Sequence, residues 1–293
     1  MDVFTTAPPS QGLLILEHLN LLEGFDLATS GYGTVETIHL MVEAKKLAFA
    51  DRLRHCGDPR FVQNPLEKLL SKEYAAQRRK LIGPQRAADH VDGTEPERLG
   101  GDTTSFCVVD GEGNAVSFIH SLSAGFGSGV TAGETGILLN NRAGRGFSLE
   151  DGHPNVIEGG KRMMHTLNCY LLMRDGVFYA VGNTPGGDQQ PQWNVQTICG
   201  LVDFGLDPQQ AADAPRFVSW PGTDPAHMAT PFEVRMESRF GADVLRALEA
   251  RGHRVVDQGP WGSEGAIQLL VRRPDGTYAG GSDSRTGGVA LGY

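Results

Sequence analysis

Residues 101–121 read GDTTSFCVVDGEGNAVSFIHS, and the fold class turns on this stretch. Thr103–Val109 and Asn114–Ser121 are rich in β-branched and aromatic residues, while Asp110-Gly111-Glu112-Gly113 between them is turn chemistry, so the segment predicts a β-hairpin. A four-residue turn pairs Val109 with Asn114, which sets Thr103 opposite His120 and Ser121 opposite Asp102. A second hydroxyl then stands within one residue of Thr103 at the open end of the hairpin. Two further hairpins follow the same grammar. Leu167–Met173 and Val177–Gly182 flank Arg174-Asp175-Gly176, and Ala266–Arg272 and Thr277–Gly281 flank Pro274-Asp275-Gly276.

Upstream of the hairpin the pattern is helical. Gln11–Glu23 follows the start signal Pro8-Pro9-Ser10, Thr34–His55 carries apolar residues on one side, and Pro65–Leu81 reads as a third, more basic helix. Residues 83–102 lose all periodicity and become polar, as in a linker or exposed loop. Downstream, helical stretches at 192–204, 208–214 and 241–251 alternate with the strands. Hairpins with helices before and among them predict an α+β fold rather than a doubly wound parallel sheet.

Composition narrows the function classes. The chain has 293 residues, 26 Lys+Arg against 35 Asp+Glu for a net charge of −9, and 39 glycines. The acidic balance argues against nucleic acid or an anionic membrane as partner. No apolar run approaches the roughly 18–20 residues of a membrane span, and Met1-Asp2-Val3 does not open a secretory signal. A soluble protein is expected, with cytoplasm and periplasm both open. Cys56, Cys107, Cys169 and Cys199 show no CxxC spacing and read as small core residues.

Several motifs bear on chemistry. Gly127-Ser128-Gly129-Val130-Thr131-Ala132 fits a loose dinucleotide pattern, but Gly133-Glu134-Thr135-Gly136 follows and cannot continue as a helix, so a turn-rich loop is expected. His120 and His165 read as structural histidines, and no metal-binding spacing is present. Thr184-Pro185-Gly186-Gly187 ends a strand in two glycines whose backbone N–H groups could face a ligand, as an oxyanion hole requires. The same pair equally suits a strand-to-helix turn.

Together these segments resemble the γ-glutamyltransferase family of N-terminal-nucleophile (Ntn) hydrolases. The resemblance rests on Thr103-Thr104, the run Asp110–Ser117, Phe126-Gly127-Ser128-Gly129 and Gly133–Asn141. It continues in Thr184-Pro185-Gly186-Gly187, Ala214-Pro215-Arg216-Phe217 and Ser282-Asp283-Ser284-Arg285. It implies a four-layer αββα sandwich, with residues 1–102 as the C-terminal part of a large-subunit region and 103–293 as the small-subunit region of one Ntn domain. The N-terminal part of the large subunit is then expected to be missing.

The resemblance also implies self-cleavage between Asp102 and Thr103, after which the two fragments stay associated. Thr103 would be the nucleophile, Ser121 would hold its hydroxyl, and Gly186 and Gly187 would stabilise the oxyanion. A threonine hydroxyl needs a base at neutral pH. Cleavage supplies one, because the Thr103 amide becomes an amine with an ordinary pKa near 8. No metal or organic cofactor is implied.

The substrate positions depart from the family pattern. Arg142 and Arg145 follow Asn141 where γ-glutamyl-specific members carry acidic or amide side chains, and Ser123 replaces an asparagine. His165-Thr166 stands where a serine pair helps hold the substrate carboxylate. An arginine grips a carboxylate but repels an ammonium group. These positions look more like the divergent amidohydrolase branch, such as oxamate amidohydrolase. The expectation is cleavage of a small-molecule amide, γ-glutamyl or another carboxylate-bearing acyl amide. The alternatives are a desamino-specific amidohydrolase, or an unprocessed fragment without activity.

Overall fold

The computed structural model describes residues 1–88, 101–222 and 231–293, with Gly101 and Asp102 described for their backbone alone. The expected loop 83–102 therefore lies largely outside the described residues. Strand β1 (Asp2–Thr5) opens the chain, followed by helices α1 (Leu13–Leu22), α2 (Leu27–Ser30), α3 (Val35–His55), α4 (Leu66–Leu69) and α5 (Lys72–Arg79). The hairpin strands β2 (Gly101–Val109) and β3 (Ala115–Ala124) come next, then α6 (Ala143–Gly146), β4 (Cys169–Arg174) and β5 (Val177–Asn183). The remaining elements are α7 (Gln190–Val202), α8 (Pro208–Asp213), β6 (Phe217–Trp220), β7 (Glu233–Met236), α9 (Ala242–Ala250), β8 (Val255–Asp257), β9 (Gln268–Arg272) and β10 (Tyr278–Ser282).

Local chemistry explains the helix ends. Thr34 caps α3, its hydroxyl accepting the Thr37 N–H at 3.3 Å, and Arg52, Arg54 and His55 sit at the negative end of the helix dipole. The expected single helix over Pro65–Leu81 is two, because Ser71 accepts the Tyr74 N–H at 3.1 Å and starts a new helix there. The first hundred residues are also not wholly helical. Asp2–Thr5 pairs antiparallel with β4, with Phe4 facing Leu171, and four residues are too few to show a period of two.

The five-stranded sheet has the order β1-β4-β5-β9-β10, and every pairing in it is antiparallel. Helices cover one of its faces: Ile15 and Leu22 of α1, Ile38 and Val42 of α3, and Val195 and Ile198 of α7 share a core with Tyr170, Leu172, Ala180 and Leu269. The β2–β3 hairpin packs against the sheet through Asn183, whose amide donates to Phe106 O at 3.1 Å, Phe118 O at 3.2 Å and Ser117 Oγ at 2.7 Å. The class is thus α+β, layered as helices, sheet and hairpin. The hairpin's outer face carries Phe106, Val108, Val116 and Phe118, each about half exposed, and no further helical layer covers it among the described residues. A third sheet, β6-β7-β8, closes one side.

The hairpin register differs by one residue from the sequence expectation. Asp110 N donates to Asn114 O at 3.0 Å, so Asn114 pairs with Asp110, and Gly113 takes φ +87° in the turn. Val109 therefore faces Ala115, Thr104 faces His120, and Thr103 faces Ser121 directly. Asp110 joins the pairing, so the loop holds three residues, Gly111–Gly113, instead of the expected four, with Gly113 in the left-handed region closing it.

Candidate active site

Thr103 and Ser121 meet where β2 and β3 lose their regular pairing. The register shifts between Asp102 and Thr103: Asp102 faces Ser123 whereas Thr103 faces Ser121, so Leu122 is an extra residue on β3. Such a bulge bends the strand and re-aims the neighbouring side chains. Ser123 accommodates it at φ +78°, a conformation costly for a non-glycine residue. Thr103 Oγ1 donates to Ser121 Oγ at 2.8 Å, and Ser123 N donates to the same oxygen at 2.9 Å. The Ser123 hydroxyl is buried and has no hydrogen-bond partner among the described residues. Asp102 and Thr103 both belong to β2, and in an uncut chain the Thr103 nitrogen is an amide that cannot accept a proton.

From the bulge a chain of contacts leads to the other expected residues. Asn141 N donates to Leu122 O at 3.1 Å and its Oδ1 accepts from Ala124 N at 2.9 Å, so this side chain braces the end of β3. Arg142 is buried, and its Nε donates to Met164 O at 3.2 Å. Arg145 lies half-buried one turn further along α6. The next residues, His165 and Thr166, are tied to the first segment of the chain: His165 N donates to Pro9 O at 3.0 Å, and Gln11 N donates to His165 O at 3.1 Å. The Gln11 side-chain amide then donates to both Thr166 O and Gly187 O, each at 2.8 Å.

Gly186 and Gly187 form the turn between β5 and α7, with φ +135° and +57°. Ser117 Oγ donates to Gly182 O at 3.1 Å, and the Asn183 amide donates to Ser117 Oγ and Phe118 O, which sets the hairpin against the end of β5 that leads into this turn. Trp193 packs so closely behind Gly186 that a Cβ there would meet its ring at 2.4 Å, whereas a Cβ on Gly187 would meet open space. Neither glycine N–H donates a hydrogen bond to a described residue.

The charges around His165 are largely paired, Arg52 with Asp188 at 2.5 Å and Arg162 with Asp58 at 3.1 Å. The His165 ring is pushed down to about 4, first by burial and then by the nearby Arg142, Arg52 and Arg162 guanidiniums. It is neutral at pH 7, and its Nδ1 is buried with no partner among the described residues. Burial raises Cys107 to about 12, so this thiol near Asn183 is no nucleophile. All four cysteines are free. The glycine-rich run from Gly127 to Gly136 forms turns, with Thr131 bridging Leu138, and no dinucleotide-type helix follows it.

Two groupings escaped the sequence reading. Gln11, Arg52 and Asp188 form a buried network under the glycine turn, and no motif marks them. His39, Glu43 and His253 bring ligand atoms within 4.8 Å of one another and could hold a cation. The protein also satisfies them itself. His39 bonds Gly83 O at 2.6 Å and His253 at 2.8 Å, and Glu43 receives Lys46 at 2.7 Å and Ala88 N at 3.1 Å. The i, i+4 spacing of His39 and Glu43 was the only available signal, because His253 is 214 residues away. Among the described residues no helix is long and apolar enough to cross a membrane.

Residues 1–293 match the family model described as Gamma-glutamyltranspeptidase. The chain is 39% identical over 296 residues to the glutathione hydrolase-like YwrD proenzyme of Bacillus subtilis, covering 99% of this chain and 54% of that protein. It is 33% identical to the oxamate amidohydrolase proenzyme of Klebsiella pneumoniae, covering 99% and 53%. The crystal structure of cephalosporin acylase from Bacillus halodurans superposes with a TM-score of 0.83 at 37% identity, covering 97% of this chain and 49% of that one. The chain thus spans about half the length of the relatives it matches.

Proposed function

As this chain belongs to the gamma-glutamyltranspeptidase family, we propose that it is an autoprocessing Ntn enzyme that cleaves an amide through an acyl-enzyme on Thr103. The observation that carries the reading is the 2.8 Å contact between Thr103 Oγ1 and Ser121 Oγ at a bulge that falls on the Asp102–Thr103 bond. A bulge withdraws that bond from regular strand pairing, which favours attack on it. Hydrolysis adds water across the bond: Asp102 gains a carboxylate and Thr103 an amine. That amine accepts the proton as Thr103 Oγ attacks a substrate carbonyl, and returns it to the departing amine. Water, or an acceptor amine, then releases the acyl group. Gly186 and Gly187 donate to the oxyanion, where each such donor is worth about 3–4 kcal/mol of barrier.

The two fragments stay together in this reading, as one Ntn domain formed by residues 1–102 and 103–293. Its support is that β1 is a strand of the sheet built by β4, β5, β9 and β10, and that Gln11 bonds Thr166 and Gly187. The substrate is an amide whose acyl group bears a carboxylate. Arg142, Arg145, His165 and Thr166 bind it, with Ser123 and Asn141 shaping the bulge beside them. The Arg142 guanidinium beside a neutral imidazole suits a carboxylate and disfavours an α-ammonium group, while Arg52 and Arg162 are already paired with Asp188 and Asp58. This favours a desamino acyl group over γ-glutamyl.

Denaturing electrophoresis with N-terminal sequencing tests the first step. The expected result is a fragment beginning Thr-Thr-Ser-Phe in the wild type and an uncut chain in Thr103→Ala. Cleavage of Thr103→Ala at the same bond overturns the reading. Comparing a glutaryl anilide with its γ-glutamyl counterpart tests the substrate class. Faster release from the γ-glutamyl compound assigns the site to γ-glutamyl transfer.

A further inference from the structure

Beneath the Gly186–Gly187 turn lies a polar network assembled from segments far apart in the chain. Gln11 is fully buried and Arg52 is 3% exposed. Arg52 Nη1 donates to Gln11 Oε1 and to Asp188 Oδ1, both at 2.5 Å, while its Nε points at Met164 Sδ at 3.3 Å. Gln11 spends both amide hydrogens, one on Thr166 O and one on Gly187 O. The peptide after Gly187 is therefore held at its carbonyl by Gln11 and at the following side chain by Arg52. Without that hold the turn is soft, since two glycines explore left-handed and right-handed backbone about equally.

We propose that Gln11 and Arg52 are positioning residues that fix the Gly186 and Gly187 N–H groups for oxyanion binding and lock that turn to the His165-Thr166 segment. The assignment rests on reading those two glycines as the oxyanion donors. Its physical content is preorganisation: donors held in place before reaction stabilise developing charge without reorganising, and a displacement near 1 Å costs on the order of 100-fold in rate. A buried ion pair such as Arg52–Asp188 is weak evidence for stability, because desolvation offsets its attraction, so a geometric role is the better account of its placement. Both positioning residues precede Thr103 and the turn follows it. The network therefore makes the site depend on the first segment staying docked after cleavage.

The test uses Gln11→Glu, Arg52→Lys and Asp188→Asn in the 293-residue chain, each close in size to the residue it replaces. Anilide release from a glutaryl anilide and hydrogen exchange of the peptide spanning residues 184–189 are both measured. In each variant kcat should fall about 10- to 100-fold with KM within about twofold. Exchange at 184–189 should rise about tenfold, while peptides from β4 and β9 keep wild-type protection. Wild-type exchange at 184–189 in both Gln11→Glu and Arg52→Lys overturns the proposal. Exchange that rises equally in β4 and β9 also overturns it, since the network would then merely hold the fold. Thr103→Ala separates the two readings. Anilide release that survives it removes the parent reading, whereas release abolished by it but untouched by the network variants removes only this one.

Discussion

At Ser121 a single hydroxyl oxygen receives two hydrogen bonds, from Thr103 Oγ1 and from Ser123 N. That geometry fixes the Thr103 rotamer and keeps its hydroxyl in a directed bond. Ser121→Ala should therefore slow self-cleavage and turnover by about 10- to 100-fold, while Ser121→Thr retains most of both, as time-course densitometry would show. Gln11 and Arg52 illustrate the opposite case. The approach of Thr103 to Ser121 was legible to within one residue because hairpin pairing is a local pattern, while the role of Thr103 comes from the family resemblance. A glutamine before a helix and an arginine inside one have ordinary local explanations. Only the tertiary approach of α3 to the glycine turn gives them a role. Buried histidines make a separate prediction about acid. His18 is buried, bonds Met41 O at 2.8 Å and is pushed down to about 4, chiefly by burial. Its folded pKa lies below the ordinary 6.5, so the unfolded chain binds the extra proton between those values. The contribution is complete above pH 6.5 and is lost as pH falls toward 4. Wild-type stability should drop by roughly 2 kcal/mol from His18 alone between pH 7 and pH 5. His18→Gln should flatten that slope in denaturant titrations, and an unchanged slope assigns the acid sensitivity elsewhere.

Elements differ in how much of themselves they reveal. The three hairpins were readable because turn residues sit between runs of β-branched and aromatic residues, and each formed at about its expected place. The register of the first was not readable, since Asp110-Gly111-Glu112-Gly113 serves a four-residue turn or a three-residue loop closed by Asn114. Tertiary geometry and the φ +87° of Gly113 select the second. That one-residue difference brings Ser121 directly opposite Thr103. The bulge at Asp102 was invisible for a related reason, because nothing in Ser121-Leu122-Ser123 distinguishes a regular strand from one with an extra residue. Strands β1, β6, β7 and β8 escaped notice by being three or four residues long. Gly113→Ala tests the link between turn and site. A Cβ there has room, its nearest neighbour being Tyr278 Oη at 3.7 Å, so any penalty comes from the backbone conformation. The expected cost is about 1 kcal/mol, with a thermal midpoint lower by a few degrees and slower self-cleavage as the pairing loosens. Gly113→Asn should recover much of both, because asparagine tolerates the left-handed region. Equal loss in the two variants would show that the backbone conformation of Gly113 is not what sets the register.

For the molecule as a whole, the hairpin carries apolar residues on both faces. Its inner face presents Val109 and Ile119 beside Ser105, Cys107 and Ser117, with Cys107 bonding β9 and Ser117 bonding β5, while its outer face presents Phe106, Val108, Val116 and Phe118. The two phenyl rings stack at 4.9 Å with planes 22° apart, yet each remains nearly half exposed. A contiguous apolar face of this kind favours association with another surface. The relatives this chain matches are about twice its length, which leaves their remaining half able to supply such a surface. If the face is an interface rather than a core, the two rings contribute little to the folding of the 293 residues by themselves. Replacing both with threonine, which is β-branched, keeps strand preference while removing the apolar area. Phe106→Thr with Phe118→Thr should cut the binding of a hydrophobic dye by more than half and raise the concentration at which the chain remains in solution. It should change the folding free energy by no more than about 0.5 kcal/mol. A loss of several kcal/mol, of the size seen when buried aromatics are truncated, would instead make this face part of the folded core of the 293-residue chain.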